Sequence, residues 1–274
     1  MGSRSHRRST ERTLIAWSLG LLISCAPHGV SPDGSSTEPA PWFSAGSDES
    51  GHRLRIHLNA DQSSETLAEL AKSAVQEVNR RIAPRGEGSV LAGVNSEAGK
   101  APVKVPEDLR VLVRRALAFY VLSDGAVDAT DGPLRALWSG ESPPSSREIK
   151  EAVDKTGSPT IGVDEFEGTL HVKRAGVSLD LGAMGRAYAL AVASQRLETA
   201  GVERYRLDYG ELSVLGYDDG RMWKIPLPDG PGTPPRARRW VRLAGGAVSV
   251  RARPDGGRGP LMSVIDPRSG SPVR

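Results

Sequence analysis

The chain holds 274 residues, a single cysteine, and 36 basic against 33 acidic residues. One cysteine excludes a disulfide within the chain. Residues 1–24 carry four of the arginines and one glutamate, so 32 basic and 32 acidic residues remain beyond them. That balance removes net charge as a reason to expect nucleic-acid binding.

Taken in chain order, the first signal is basic: Arg4, Arg7, Arg8 and Arg12 stand against Glu11, and Leu14 to Ser24 is an apolar run of 11 residues. A bilayer-spanning helix needs about 20, so residues 1–24 read as a secretory signal. Its end, Leu22-Ile23-Ser24-Cys25, resembles a bacterial lipobox, whose cysteine takes the lipid. The alternative is a plain signal peptide with an incidental thiol. Residues 25–41, rich in Pro, Gly and Ser, predict a flexible tether, and residues 42–274 the folded domain.

Leu54, Ile56 and Leu58 alternate with Arg55 and His57, which predicts a half-buried strand over 53–59. Helices are predicted from Ser64 to Ala83, with apolar positions at Leu67, Leu70, Ala71, Ala74, Val75, Val78 and Ile82, and from Pro106, suited to the first helical position, to Leu122. A third starts at Ser145, with Glu148 completing a capping box, and ends near Gly157. Strands are predicted at 160–164, 169–173 and 177–181. The last carries Asp180 and breaks into Gly182-Ala183-Met184-Gly185, where Arg186 opens a helix that stops at Gly201. Strand, glycine turn, cation and helix start describe either a phosphate cradle or an ordinary turn with an exposed arginine. Residues 204–266 read as mostly β, interrupted by loops at 226–235 and 253–260. The basic run Arg236 to Arg242 reads as a solvated edge. Helices and strands without a regular βαβ repeat predict an α+β fold.

Five segments place polar residues between apolar elements: Ser89 to Asn95; Asp128 to Leu134, leading to Trp138; Val177 to Tyr188; Asp208 to Leu212; and Ser263 to Pro272. In this order they resemble the ApbE family of FAD:protein FMN transferases. Ser89, Leu91 and Asn95 fit the family's Ser-x-Leu-x-x-Leu-Asn segment. Asp128, Thr130, Gly132, Pro133, Leu134 and Trp138 fit its second motif. Leu179, Asp180, Leu181, Gly182 and Tyr188 fit its third. Asp266, Pro267, Gly270 and Pro272 fit its last.

The resemblance implies a single two-lobed domain of ApbE or T-fold type, with mixed sheets and flanking helices. It implies FAD as substrate, Mg2+ on the pyrophosphate, and transfer of FMN to a threonine or serine of an exported acceptor protein, with release of AMP. Asn95, Asp128, Thr130, Asp180, Gly182 and Arg186 are then expected at the nucleotide, the backbone carbonyl of Gly185 at the metal, and Asp266 as the base. Cys25 would anchor the protein by lipid to a membrane, facing the periplasm or the cell exterior. From residues alone, Asp180 either faces the nucleotide or caps its own turn. Asp128 either lines the flavin pocket or, with Asp131, organises the turn before Pro133. Asp266 before a proline is otherwise a turn former.

Departures from the family pattern are expected to matter. Arg186 stands for a lysine, Tyr209-Gly210-Glu211 for Gly-Gly-Asp, and Ser263 for a histidine. The aromatic residue expected before Ser89 and the Thr-Ser-Gly expected near Val248 are absent. Arg274 falls before the family's Ala-Asp-x-x-x-Thr segment, so the side-chain metal ligands are expected to be missing. Two further readings follow: an inactive ApbE-like lipoprotein that binds flavin or acts as a scaffold, and an exported lipoprotein that binds another small ligand.

Overall fold

The computed structural model describes residues 42–47, 52–58, 64–139, 142–216, 222–227, 239–249 and 264–273. In chain order its elements are β1 (Trp42–Ser47), β2 (Arg53–Leu58), α1 (Glu65–Ile82), α2 (Val90–Ser96), β3 (Val103–Lys104), α3 (Glu107–Leu122), α4 (Gly132–Trp138) and α5 (Ser146–Val153). There follow β4 (Ile161–Asp164), β5 (Thr169–Val172), α6 (Gly182–Thr199), β6 (Tyr205–Tyr209), β7 (Leu212–Leu215), β8 (Trp223–Leu227), β9 (Arg239–Leu243), β10 (Gly246–Ser249), β11 (Ile265–Asp266) and β12 (Ser271–Pro272).

The first core forms on a five-stranded sheet of order β1-β2-β6-β7-β10, antiparallel at every pairing. Period-2 alternation buries Leu54, Ile56 and Leu58 of β2 on one face. Each such burial is worth about 1.5–3 kcal/mol. Helices α1 and α6 complete this core. The Ser64 hydroxyl caps α1 by accepting from the Leu67 N–H at 3.2 Å. The buried face of α1 is Ala68, Ala71, Ala74, Val75 and Val78, and α6 offers Ala189, Leu190, Ala193 and Leu197. Small side chains on both sides allow the two helices to approach closely. Leu67 and Leu70 are only half-buried, so the buried face is centred on alanines rather than on the predicted leucines.

The second core lies around the three-stranded sheet β3-β5-β4, with Leu91 and Val94 of α2, Leu109, Leu112, Val113 and Ala116 of α3, and the segment Val177, Leu179 and Leu181. Ile82 and Tyr188 pack against both cores. The α6 helix therefore starts at the junction of the two lobes. The Tyr188 hydroxyl donates to Asp108 at 2.7 Å, and Arg81 pairs the same carboxylate, which ties α6 to α1 and α3.

Three local expectations change. The segment set between apolar elements at Ser89 to Asn95 is itself a helix, Val90–Ser96: Ser89 caps it, its hydroxyl accepting from the Ala92 N–H and donating to the Ala83 carbonyl at 2.6 Å. Pro106 is the N-cap of α3 and not its first residue. The helix from Ser145 has its capping box but ends at Val153. Beyond it, the Gly157 and Ser158 backbone turns away to donate to Thr130 and Asp128, and those bonds across the fold outweigh helix continuation.

Candidate functional site

The segment 177–181 is not a strand, and its last residue, Leu181, already has helical dihedrals as the N-cap of α6. Val177, Leu179 and Leu181 are buried as the alternation predicts, but no strand among the described residues pairs with them. The Asn95 side chain takes that place. Its Oδ1 accepts from the Leu179 N–H at 2.7 Å, and its Nδ2 donates to the Leu179 carbonyl at 2.9 Å and the Pro84 carbonyl at 3.1 Å. A carboxamide has the donor and acceptor of a peptide, so one side chain supplies what a strand would. Asn95, expected at the nucleotide, is thus fully engaged by the chain's own backbone.

Asp180 sits one residue on. Its N–H donates to the Ala129 carbonyl at 2.7 Å. Its Oδ1 accepts from the Gly182 N–H at 2.9 Å, and its Oδ2 lies 2.6 Å from Arg135. The turn-capping role left open by the sequence is present. It starts α6 at Gly182, so Arg186 lies a full turn inside the helix rather than at its opening. Gly182 has φ +43°, and a Cβ there would lie 3.0 Å from an Arg135 nitrogen. A larger residue would be strained and would crowd the guanidinium. A Cβ on Gly185 would lie 2.4 Å from Ile82 Cδ1. Glycine at 185 therefore serves the closeness of α1 and α6, and its carbonyl belongs to the internal helix ladder.

Arg186 is half-buried on α6. Its Nε is buried and has no hydrogen-bond partner among the described residues. A buried, unpaired donor on a cation is costly; an anion seated beside it would satisfy it, although the Gly182 N–H at the helix start is already taken by Asp180. An anionic group suits this donor. Among the described residues no group of three or more His, Cys, Asp or Glu is placed to hold a metal, and Asp180 is engaged by Arg135 and Gly182.

The segment 128–135 faces this turn from the other side. Asp128 and Thr130 are buried. Asp128 Oδ1 accepts from the Thr130 N–H at 2.8 Å, the Thr130 hydroxyl at 2.6 Å and the Ser158 hydroxyl at 2.6 Å. The Thr130 hydroxyl in turn accepts from the Gly157 N–H at 2.6 Å. Both residues expected at the flavin therefore carry an internal network joining the α4 entry to the segment after α5.

Sequence reasoning passed over Arg135. It projects from α4 between two carboxylates, 2.6 Å from Asp180 and 3.0 Å from Asp131. Its Nε is close to the Asp131 oxygen, but the N–H does not point at it. The Asp131–Arg135 spacing of four on a helix was the available signal. Burial pushes Asp131 up to about 6, against the pull of Arg135 and with Asp180 and Asp128 adding to the rise.

This has a pH consequence. An unfolded aspartate titrates near 3.8, so between about pH 4 and 6 the folded state holds a proton the unfolded chain has lost. Stability from this group is present below pH 4 and falls as pH rises through 6, by roughly 1–3 kcal/mol. Asp131→Asn is expected to be more stable than the parent at pH 7.5 and no more stable at pH 4. Urea midpoints at the two pH values measure this; equal differences at both remove Asp131 as the cause.

Asp266 lies in the β11–β12 hairpin. The Trp138 indole N–H donates to the Gly270 carbonyl at 2.7 Å, and Ile265 packs with Leu134, Trp138 and Ala152, so the hairpin docks on α4 and α5. Arg268 grips both Asp266 oxygens, at 2.9 and 2.8 Å, and holds its carboxyl below the usual carboxylate range. Asp128, Thr130, Asp180, Gly182 and Arg135 are thus brought together around two touching turns, with Arg186 on the helix they open. No bond joins Asp266 to them among the described residues. Cys25, the leader, the tether, Ser263 and Arg274 lie outside the described residues.

The model of the ApbE family matches residues 51–274. An FAD:protein FMN transferase of Salmonella typhimurium is 28% identical over 202 residues, covering 68% of this chain and 57% of that protein. One from Vibrio cholerae is 25% identical over 226 residues, covering 77% and 66%. The chain spans less than two thirds of either relative. The crystal structure of the ApbE protein from Thermotoga maritima superposes with a TM-score of 0.70 at 26% identity, covering 85% of this chain and 79% of that one.

Proposed function

The chain belongs to the ApbE family, and we propose that it is an FAD:protein FMN transferase. The observation that carries this reading is the buried Arg186 Nε without a partner, one turn inside the helix that begins at Gly182. A pyrophosphate there would meet a guanidinium in a partly desolvated junction where charge interactions are strong.

A threonine or serine hydroxyl of the acceptor attacks the FMN-side phosphorus. The new phosphoester bond forms as the anhydride bond to the AMP phosphate breaks, AMP leaves with the electron pair, and the hydroxyl proton passes to a base. Arg186 balances the charge that grows on the leaving phosphate. We assign the proton to Asp266, which Arg268 keeps ionised as a base must be, though the same pairing makes it a weak one. Mg2+ is part of the family's chemistry. The described side chains do not by themselves form its site, and no step here is derived through it.

The acceptor is proposed to be exported, and Cys25 to carry lipid, on the strength of the basic and apolar leader. A second reading, flavin binding without transfer, is favoured by the Arg268 grip on Asp266 and by the want of a carboxylate cluster among the described residues.

Incubating the full chain with FAD, Mg2+ and exported proteins of the same cell tests both. AMP together with a flavin-fluorescent protein band is the expected result. FAD binding without AMP replaces the first reading by the second, and no FAD binding overturns both.

A further inference from the structure

The β8–β9 ribbon has two unlike faces. Trp223 and Ile225 are buried against Leu215, with Leu243 and Val248 packed beside them. The other face is set by register. Lys224 stands directly opposite Arg242, both are exposed, and neither has a carboxylate partner among the described residues. Trp240, two residues along the same strand from Arg242 and therefore on the same face, is 54% exposed. Met222, two residues before Lys224, is 55% exposed. Like charges facing each other across a ribbon destabilise it, and an exposed indole beside them adds apolar surface in water.

The sequence concentrates this pattern. Residues 236–242 read Arg-Ala-Arg-Arg-Trp-Val-Arg, in a chain that is neutral overall beyond residue 24. Cations flanking an exposed indole match the headgroup layer of a membrane. Phosphates there take the cations, and Trp settles between water and acyl chains.

We propose that this outward face of the β8–β9 ribbon docks on a bilayer of anionic phospholipid. The proposal rests on the lipid-anchored reading above for its proximity. If the 16 residues from Ala26 to Pro41 form the flexible tether expected from their composition, they would reach about 20–24 Å, and an anchored domain would meet the bilayer continually. The ribbon then selects which side of the domain faces the lipid.

The test uses the lipidated full chain in vesicles of phosphatidylethanolamine and phosphatidylglycerol, the latter brominated or not. Bromine near the headgroups is expected to quench part of the tryptophan emission, and Trp240→Phe is expected to remove that quenched part. Lys224→Glu with Arg242→Glu is expected to remove it too, while leaving the folded state intact by circular dichroism. Quenching that is absent, or unchanged by these substitutions, overturns the proposal.

Mass spectrometry of Cys25 separates a failed anchor from a failed surface. If no lipid is present, the difference in flotation between the parent full chain and its ribbon variants with the same vesicles reads the ribbon. Each cation removed is then expected to weaken binding by about five-fold. A doubly reversed variant that floats as the parent does overturns the proposal. So does a ribbon that ignores vesicles and instead retains acidic protein.

Discussion

Replacing Arg186 with methionine is expected to lower AMP release from FAD by roughly 10²- to 10³-fold, the usual loss when one preorganised donor to a developing oxyanion is removed. The charge and the Nε donor both disappear, so FAD affinity falls as well. Stability should move the other way. The parent holds a buried Nε with no partner among the described residues, and such a group costs about 1–3 kcal/mol. Methionine, apolar and flexible, removes the penalty and keeps most of the packing, so the variant should melt no lower than the parent. A loss of activity with no loss of stability distinguishes a binding residue from a structural one. Arg186→Lys keeps a charge within reach of phosphate but not the planar fork, and is expected to recover most of the rate. An Arg186→Met protein that releases AMP at the parent rate would remove the phosphate from the start of α6.

The second large effect concerns Asp128. Alanine there is expected to cost about 3 kcal/mol, because it strands four buried donors whose bonds end on one carboxylate. Those donors are the N–H and the hydroxyl of both Thr130 and Ser158. For a domain of this size, that loss corresponds to a fall of about 10 °C in Tm. The family resemblance places Asp128 at the flavin, whereas its bonds place it inside a network that fixes the α4 entry. Asp128→Asn separates the two roles, since the amide still accepts at Oδ1. On the structural role, the variant loses about 1 kcal/mol and keeps its FAD affinity below the melting range. A folded Asn variant with FAD affinity lowered ten-fold or more gives Asp128 back to the ligand.

What the chain order reveals follows the range of the forces involved. Local signals were legible. The alternation of Leu54, Ile56 and Leu58 buries one face of β2, and the Ser145–Glu148 capping box is formed. Such patterns repeat within one element because helix and strand geometry repeat, so no distant residue is needed to read them. The segment 177–181 marks the limit. Its alternation gave the buried side of each residue correctly. The partner of its backbone is a side chain 84 positions away, and nothing local to Leu179 records that.

The opening of α6 shows the same division. Glycine, acid and arginine in sequence suffice to suggest an anion site at residues 180–186. Only the folded chain brings Arg135 to Asp180, docks Gly185 against Ile82, and leaves the Arg186 Nε buried without a partner among the described residues. By itself, then, the sequence determined the family and the main helices and strands, and it singled out the stretch proposed to bind a phosphate. Tertiary structure decided which polar groups in that stretch are already taken by the protein and which has no partner among the described residues. The physical reason is that hydrogen bonds between side chains and distant backbone have short range in space and no period along the chain.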